Sequence, residues 1–149
     1  MRTSQKGIDL IKEFEGFRKT AYLCPGGVWT IGYGHTKGVK VGDEIDERKA
    51  EQFLREDLRE TEVAINRMIT VEIDQNQFDA LVSLVYNIGS GNFYDSTIRR
   101  LINERCLDIK KIEHAWKMWI RAGGRVLKGL IRRRNTEFEL YRKDLWYNR

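Results

Sequence analysis

The sequence predicts an α+β fold, with its strands gathered in one segment and its helices in the others. Two observations carry that expectation. Residues 17–43 hold glycines at 26, 27, 32, 34, 38 and 42, separated by short runs of β-branched and aromatic residues. From Asp46 to Asp144 apolar residues instead recur every three or four positions, the helical period. With 149 residues and 41% hydrophobic composition, the chain matches one domain, 1–149, able to bury a core. It holds one Pro and shows no linker and no repeat of fixed period.

Each element has a local reason. Ile8, Ile11 and Phe14 stand three apart, so residues 4–14 predict an amphipathic helix with Ser4 as N-cap, interrupted at Gly16. Tyr22-Leu23, Val28-Trp29-Thr30-Ile31 and Val39-Lys40-Val41 predict small antiparallel strands, with Pro25-Gly26 turning between two of them. After Asp46, a long helix would place Ala50, Phe53, Leu54, Leu58, Ile65 and Met68 on one face. Asp74 and Gln77 have capping-box spacing and open an apolar helix through Phe78, Leu81, Val82, Leu84 and Val85, which Gly89 would close. Ser96 and Asp108 would cap two further helices. The second turns Ile109, Ile112, Ala115, Trp116 and Trp119 inward and would break at Gly123-Gly124. A last helix is expected from about 129 to 144. The pattern gives a small lobe over about 14–60, and a helical lobe over about 61–149 joined by the N-terminal helix.

The net charge of +5 is unevenly placed. Residues 125–149 carry eight basic and three acidic residues, and the remainder balances. Such a segment suits an anionic partner. Nucleic acid is one such partner, since Tyr141, Trp146 and Tyr147 lie near the basic residues. No helix-turn-helix or paired-aromatic signature accompanies them, so no nucleic-acid partner is expected. No apolar run approaches a membrane span, so no stable membrane insertion is expected. Met1 to Lys12 carries Arg2, Lys6, Asp9 and Lys12 and lacks the apolar core of a signal peptide.

Cys24 and Cys106 are too few for a disulfide framework and read as free thiols, with Cys106 structural. They form no ligand spacing with His35 and His114, so no metal is predicted, and no cofactor. Gly32-Tyr33-Gly34 lacks the Lys-Ser/Thr of a phosphate loop. One residue stands out. Glu15 ends the first helix, facing the small sheet, where a cleft between two lobes would form. Phe14 and Phe17 beside it would raise its pKa toward the working pH. The plainer reading is a solvated surface acid.

The wider pattern decides between these. Phe14-Glu15-Gly16, Ala21-Tyr22, Trp29-Thr30-Ile31-Gly32-Tyr33-Gly34-His35-Thr36 and Gly42 resemble the phage-type lysozymes of glycoside hydrolase family 24, the endolysin group. Gln77-Phe78-Asp79-Ala80-Leu81, Asn87-Ile88-Gly89, Phe93, Ser96-Thr97 and Gly129-Leu130 before Arg132-Arg133-Arg134 follow in the family's order. The resemblance covers roughly residues 7–143. It implies a lysozyme-like fold with the cleft between the lobes. It also implies hydrolysis of the β-1,4 bond between N-acetylmuramic acid and N-acetylglucosamine in bacterial peptidoglycan, for host cell lysis.

The resemblance assigns the catalytic set to Glu15, Cys24 and Thr30. Glu15 would be the general acid and Thr30 would position water. Acid and base in an inverting glycosidase stand roughly 6.5–9.5 Å apart to admit that water. Cys24 departs from the Asp of many relatives. A thiolate base, a weakly polarising thiol and a sugar-attacking nucleophile all stay open for it, as does a small apolar filler. Arg133 would orient Glu15, with Arg132 and Arg134 as alternatives one register away. His35 would support the loop by pairing with an acid of the helical lobe. Gly32 and Gly34 would permit tight turns, with Gly34 beside the substrate. Asp95, Ser96 and Thr97 would line the groove, and Trp116 and Trp119 would pack in the core. The resemblance further implies peptidoglycan glycan strands as partner, a monomer, and a pool in the host cytoplasm awaiting a holin pore before reaching the periplasmic wall. A glycan-binding module without activity is the competing reading.

Overall fold

The computed structural model describes residues 1–145, so Trp146 and Tyr147 lie outside the described residues. The order is α1 (Gln5–Glu15), β1 (Arg18–Leu23), β2 (Trp29–Gly32), α2 (Glu47–Met68), α3 (Gln75–Ile88), α4 (Ser90–Tyr94), α5 (Thr97–Asn103), α6 (Ile109–Lys117), β3 (Arg121–Ala122), β4 (Arg125–Val126) and α7 (Lys128–Arg142). The first sheet, β1 and β2, lies in the glycine-rich stretch as predicted, whereas the short pair β3 and β4 falls between helices α6 and α7.

Helix α3 is the axis of the fold. Every residue from Gln77 to Val85 is buried, which is the pattern of a helix packed on all sides. It contacts α1, α2, α4 and α7. Its start is the predicted capping box, with the Asp74 carboxylate accepting from Gln77 N at 2.7 Å and Gln77 Oε1 accepting from Asp74 N at 2.8 Å. Gly89 closes it at φ 92. Around this axis pack Ile8 and Ile11 of α1, Leu54, Leu58 and Ile65 of α2, and Trp116, Phe138 and Tyr141 from α6 and α7.

Helix α1 is held tightly against α3. Buried Asp79 accepts from Ser4 N at 2.9 Å and from Ser4 Oγ, and Glu62 of α2 accepts from Thr3 N and Oγ1 at 2.7 Å each. Gly7 permits this approach. A Cβ there would lie 2.7 Å from Thr3 Cγ2 and 2.8 Å from Asp79 Cγ. The N-terminal turn is thus fixed, and with it the far end of α1, where Glu15 sits.

The small sheet pairs β1 with β2 antiparallel, Tyr22 opposite Thr30 and Leu23 opposite Trp29. The third strand expected at Val39–Val41 is absent. Lys40 N donates to Asp43 Oδ2 at 2.8 Å, a turn that the side chain of Asp43 stabilises against extension. The segment beside β1 comes slightly later, through Ala21 N to Asp43 O and Ile45 N to Lys19 O. Helix α2, about 33 Å long at 1.5 Å per residue, carries the chain from this sheet to the helical bundle. The boundary expected near 60 therefore falls inside one continuous helix. On α2, Phe53 and Met68 are half-buried rather than core, and Thr61 and Glu62 are buried instead.

Two further differences concern the second half. Helix α6 stops at Lys117, not at the glycine pair. Gly123 and Gly124, at φ 58 and 78, turn the two-residue hairpin of β3 and β4. Short α4 had no sequence signal apart from Phe93, which anchors it in the core.

Candidate active site

Glu15 is the last residue of α1, and Gly16 ends the helix at φ 74, a conformation that favours glycine. The side chain is 23% exposed. Arg133 of α7 donates from Nη1 to Glu15 Oε1 at 2.9 Å. Of the three candidate arginines, this is the one that reaches Glu15. Arg132 instead pairs with exposed Glu13 at 3.2 Å and lies over the Phe14 ring. Arg134 points the other way, to Glu137 and to Trp119 O.

Oε2 of Glu15 accepts no hydrogen bond from a described residue. It faces Gly34, where an added Cβ would lie 3.8 Å from Oε2 and 3.7 Å from Tyr86 Oη. Gly34 has φ 94 in a tight turn closed by Ile31 N to His35 O and His35 N to Ile31 O, both 2.9 Å. Tyr86 is the polar neighbour that the sequence reading missed. Burial, and the nearby charges of Glu15 and Asp57, push its phenol well above the ordinary range, so it stays a neutral O–H. Phe14, Glu15, Asn87, Leu127, Gly129, Leu130, Arg132 and Arg133 line an adjoining recess of about 340 Å³. A recess of about 400 Å³ lies against Leu145 instead and holds none of the candidate residues.

Cys24 and Thr30 come together across the hairpin. Cys24 N donates to Val28 O at 3.0 Å and Gly27 N to Cys24 O at 2.8 Å, a turn that folds the amides of Val28 and Gly26 toward the thiol. Hydrogen bonds from Val28 N–H, then Gly26 N–H, then the Thr30 hydroxyl lower the Cys24 pKa. The thiolate is favoured by amide dipoles rather than by a cation. Cys24 is half-buried, accessible to a reagent. Thr30 is buried, and its hydroxyl also lies 3.0 Å from Val28 O, so its single hydrogen has two acceptors within reach.

His35 finds an acid, as expected, but on the long connecting helix. Its Nδ1 lies 2.8 Å from Asp57 Oδ2, and its ring stacks on Phe53 at 4.1 Å. Ser96 does not line the recess beside Glu15. It is buried as the N-cap of α5, donating to Phe93 O at 2.7 Å and accepting from Arg99 N at 3.1 Å, so both hydroxyl functions are used. Thr97 lines a different, mostly apolar recess with Leu101, Ala115 and Met118, and Asp95 is exposed where α4 meets α5. Neither lines the recess beside Glu15. Trp116 is fully buried as predicted, whereas Trp119 is half-buried.

The model of the phage lysozyme family matches residues 12–137, which contain Glu15, Cys24, Thr30 and Arg133. The chain belongs to the phage lysozyme family. This phage lysozyme is 43% identical to an endolysin of Acyrthosiphon pisum secondary endosymbiont phage 1, over 95% of this chain and 98% of that one. Its structure is similar to the muramidase domain of SpmX from Asticaccaulis excentricus, with TM-score 0.87 and 39% identity, covering 94% of this chain and 97% of that one. It is equally similar to an endolysin of Escherichia coli O157:H7 phage FAHEc1, with TM-score 0.87 and 37% identity, covering 98% and 96%. The chain spans about half the length of the endolysins of Bacillus phages B103 and PZA, which it also matches. Among the described residues, no helix is long and apolar enough to cross a membrane.

Proposed function

We propose that this phage lysozyme is an endolysin muramidase that hydrolyses the β-1,4 bond between N-acetylmuramic acid and N-acetylglucosamine of peptidoglycan. The observation that carries the reading is the division of labour at Glu15. Arg133 holds Oε1 at 2.9 Å, and Oε2 is left facing the gap at Gly34. Protonated Oε2 delivers its proton to the departing glycosidic oxygen as the C1–O bond breaks. A water near Cys24 and Thr30 then attacks C1 and gives its proton to the Cys24 thiolate. Thr30 orients that water through its hydroxyl. Glu15 ends as carboxylate and Cys24 as thiol, and solvent returns both to their starting states.

His35 supports the loop through Asp57, and the absence of a side chain at Gly34 leaves room for the sugar. The enzyme acts as a monomer on glycan strands. It waits in the host cytoplasm and reaches the wall through a holin pore. Reducing-end analysis of digested peptidoglycan tests the bond assignment. New N-acetylmuramic acid ends with inverted configuration at C1 are expected. New N-acetylglucosamine ends, or a glycosyl adduct on Cys24 in the mass spectrum, would overturn the bond or the water-attack step respectively. Retained pelleting on peptidoglycan with no cleavage would favour the inactive binding module.

A further inference from the structure

The buried residue that aims Arg133 is Glu137, and neither the resemblance nor the mechanism assigns it a task. Glu137 lies one helical turn after Arg133 on α7 and is completely buried. A carboxylate in that position is costly unless it is paired and hydrogen-bonded. Four side chains from three helices meet it. Oε2 accepts from Ser83 Oγ of α3, from Arg133 Nε at 3.2 Å and from Arg134 Nη2 at 3.1 Å. Oε1 accepts from Trp116 Nε1 of α6 at 3.2 Å, with Arg134 Nε 2.7 Å away as an ion-pair contact not aligned for a hydrogen bond.

The consequence is geometric. The Arg133 guanidinium is planar, and three of its nitrogens are committed. Nε goes to Glu137, Nη2 donates to Ser83 O at 3.1 Å, and Nη1 is left to meet Glu15. Two fixed points set the plane, and the plane sets where Nη1 points. Removing Glu137 takes away the charged tether of Nε and leaves Ser83, through Oγ at 3.4 Å and its carbonyl at 3.1 Å, as the hold on the guanidinium opposite Glu15. Charge follows the same logic. Two arginines meet the two side chains Glu137 and Glu15, so Arg133 is shared between a permanent partner and the reacting one.

We propose that Glu137 is a positioning residue, acting with Ser83 through Arg133 to hold the Glu15 carboxyl in its working orientation. This rests on the muramidase reading, and the two fail separately. If Glu15→Gln remains active, the muramidase reading fails. If Glu15→Gln is inactive while Glu137→Gln keeps wild-type turnover, only the positioning role fails.

The test is a double-mutant cycle on solubilised peptidoglycan fragments, at a temperature well below unfolding for every variant. Glu137→Gln alone should lower kcat on the order of 10- to 100-fold with KM nearly unchanged, the loss that a displacement of about 1 Å produces. In an Arg133→Ala background the same substitution should change kcat less than about twofold, because the route through Arg133 is already gone. Equal losses in both backgrounds would overturn the proposal, since a merely structural role acts regardless of Arg133. Should Glu137→Gln fail to fold, Ser83→Ala serves in its place. It removes one hydroxyl, and a several-fold loss in kcat that vanishes in the Arg133→Ala background is expected. A loss that persists there would refute the role.

Discussion

Consecutive arginines at 132, 133 and 134, of which the sequence favours Arg133 without fixing the register, provide a test in which the structure predicts three different results. Arg132→Ala removes a 3.2 Å pair to Glu13 in which both side chains are about 60% exposed. Such pairs contribute about 0–1 kcal/mol, and the contact with the Phe14 ring adds about 0.5 kcal/mol. Melting should fall by about 6 °C at most, at about 2–4 °C per kcal/mol for this size, with activity within a few-fold of wild type. Arg133→Ala breaks a buried network that one-sided removal costs about 3–5 kcal/mol. Because Glu15 is 23% exposed and can be rehydrated, about 2–4 kcal/mol is the better figure, or about 4–16 °C. Its activity should fall about 100-fold even at temperatures where it is fully folded. Arg134→Ala removes a fully buried partner of Glu137 that does not touch Glu15. It should melt lowest of the three yet lose less activity than Arg133→Ala at a common folded temperature. Thermal melts followed by circular dichroism, with initial clearing rates at 25 °C, give both axes. An Arg132→Ala variant that lost activity as fully as Arg133→Ala would refute the assignment of Arg133 as the partner of Glu15.

Other outcomes follow from the same contacts. The lowered Cys24 pKa means more thiolate at a given pH, so alkylation by iodoacetamide should reach half its limiting rate at a lower pH than for an unperturbed free thiol measured alongside. Cys106→Ser leaves the reactive thiol in place and Thr30→Val moves the midpoint upward. A midpoint at or above the free-thiol value would contradict the amide turn as its cause. Asp79→Ala strips the partners from Ser4 N and Ser4 Oγ at a buried site, costing about 3 kcal/mol. The melt should drop about 6–12 °C, and a drop under about 2 °C would show that the N-terminal turn is not held there.

What the sequence revealed and concealed follows the range of the interactions. Caps at Ser4, Asp74, Ser96 and Asp108 are local hydrogen bonds written in four consecutive residues, and all four form. The Val39–Val41 strand failed because β propensity was weighed without the Asp43 side chain that turns the backbone. Ser96 illustrates a confusion of another kind. A residue that caps a helix carries the same letter as one that touches ligand, and only burial separates them. Tyr86 and Glu137 were invisible because helical spacing marks which face is inward but not which inward residues converge from other helices. Glu137 looked like one charge in a basic tail, whereas it is the buried centre that holds two arginines of that tail. The +5 segment, which first suggested an anionic partner, therefore spends part of its charge inside the protein.

The most direct measurement is the rate at which Glu15→Gln clears purified peptidoglycan. The amide keeps the shape of the side chain and can still accept from Arg133, but it has no acidic proton to deliver. The variant should be folded, by circular dichroism, with activity lower by about 10²–10⁴-fold. Clearing at the wild-type rate would contradict the role of Glu15 as general acid.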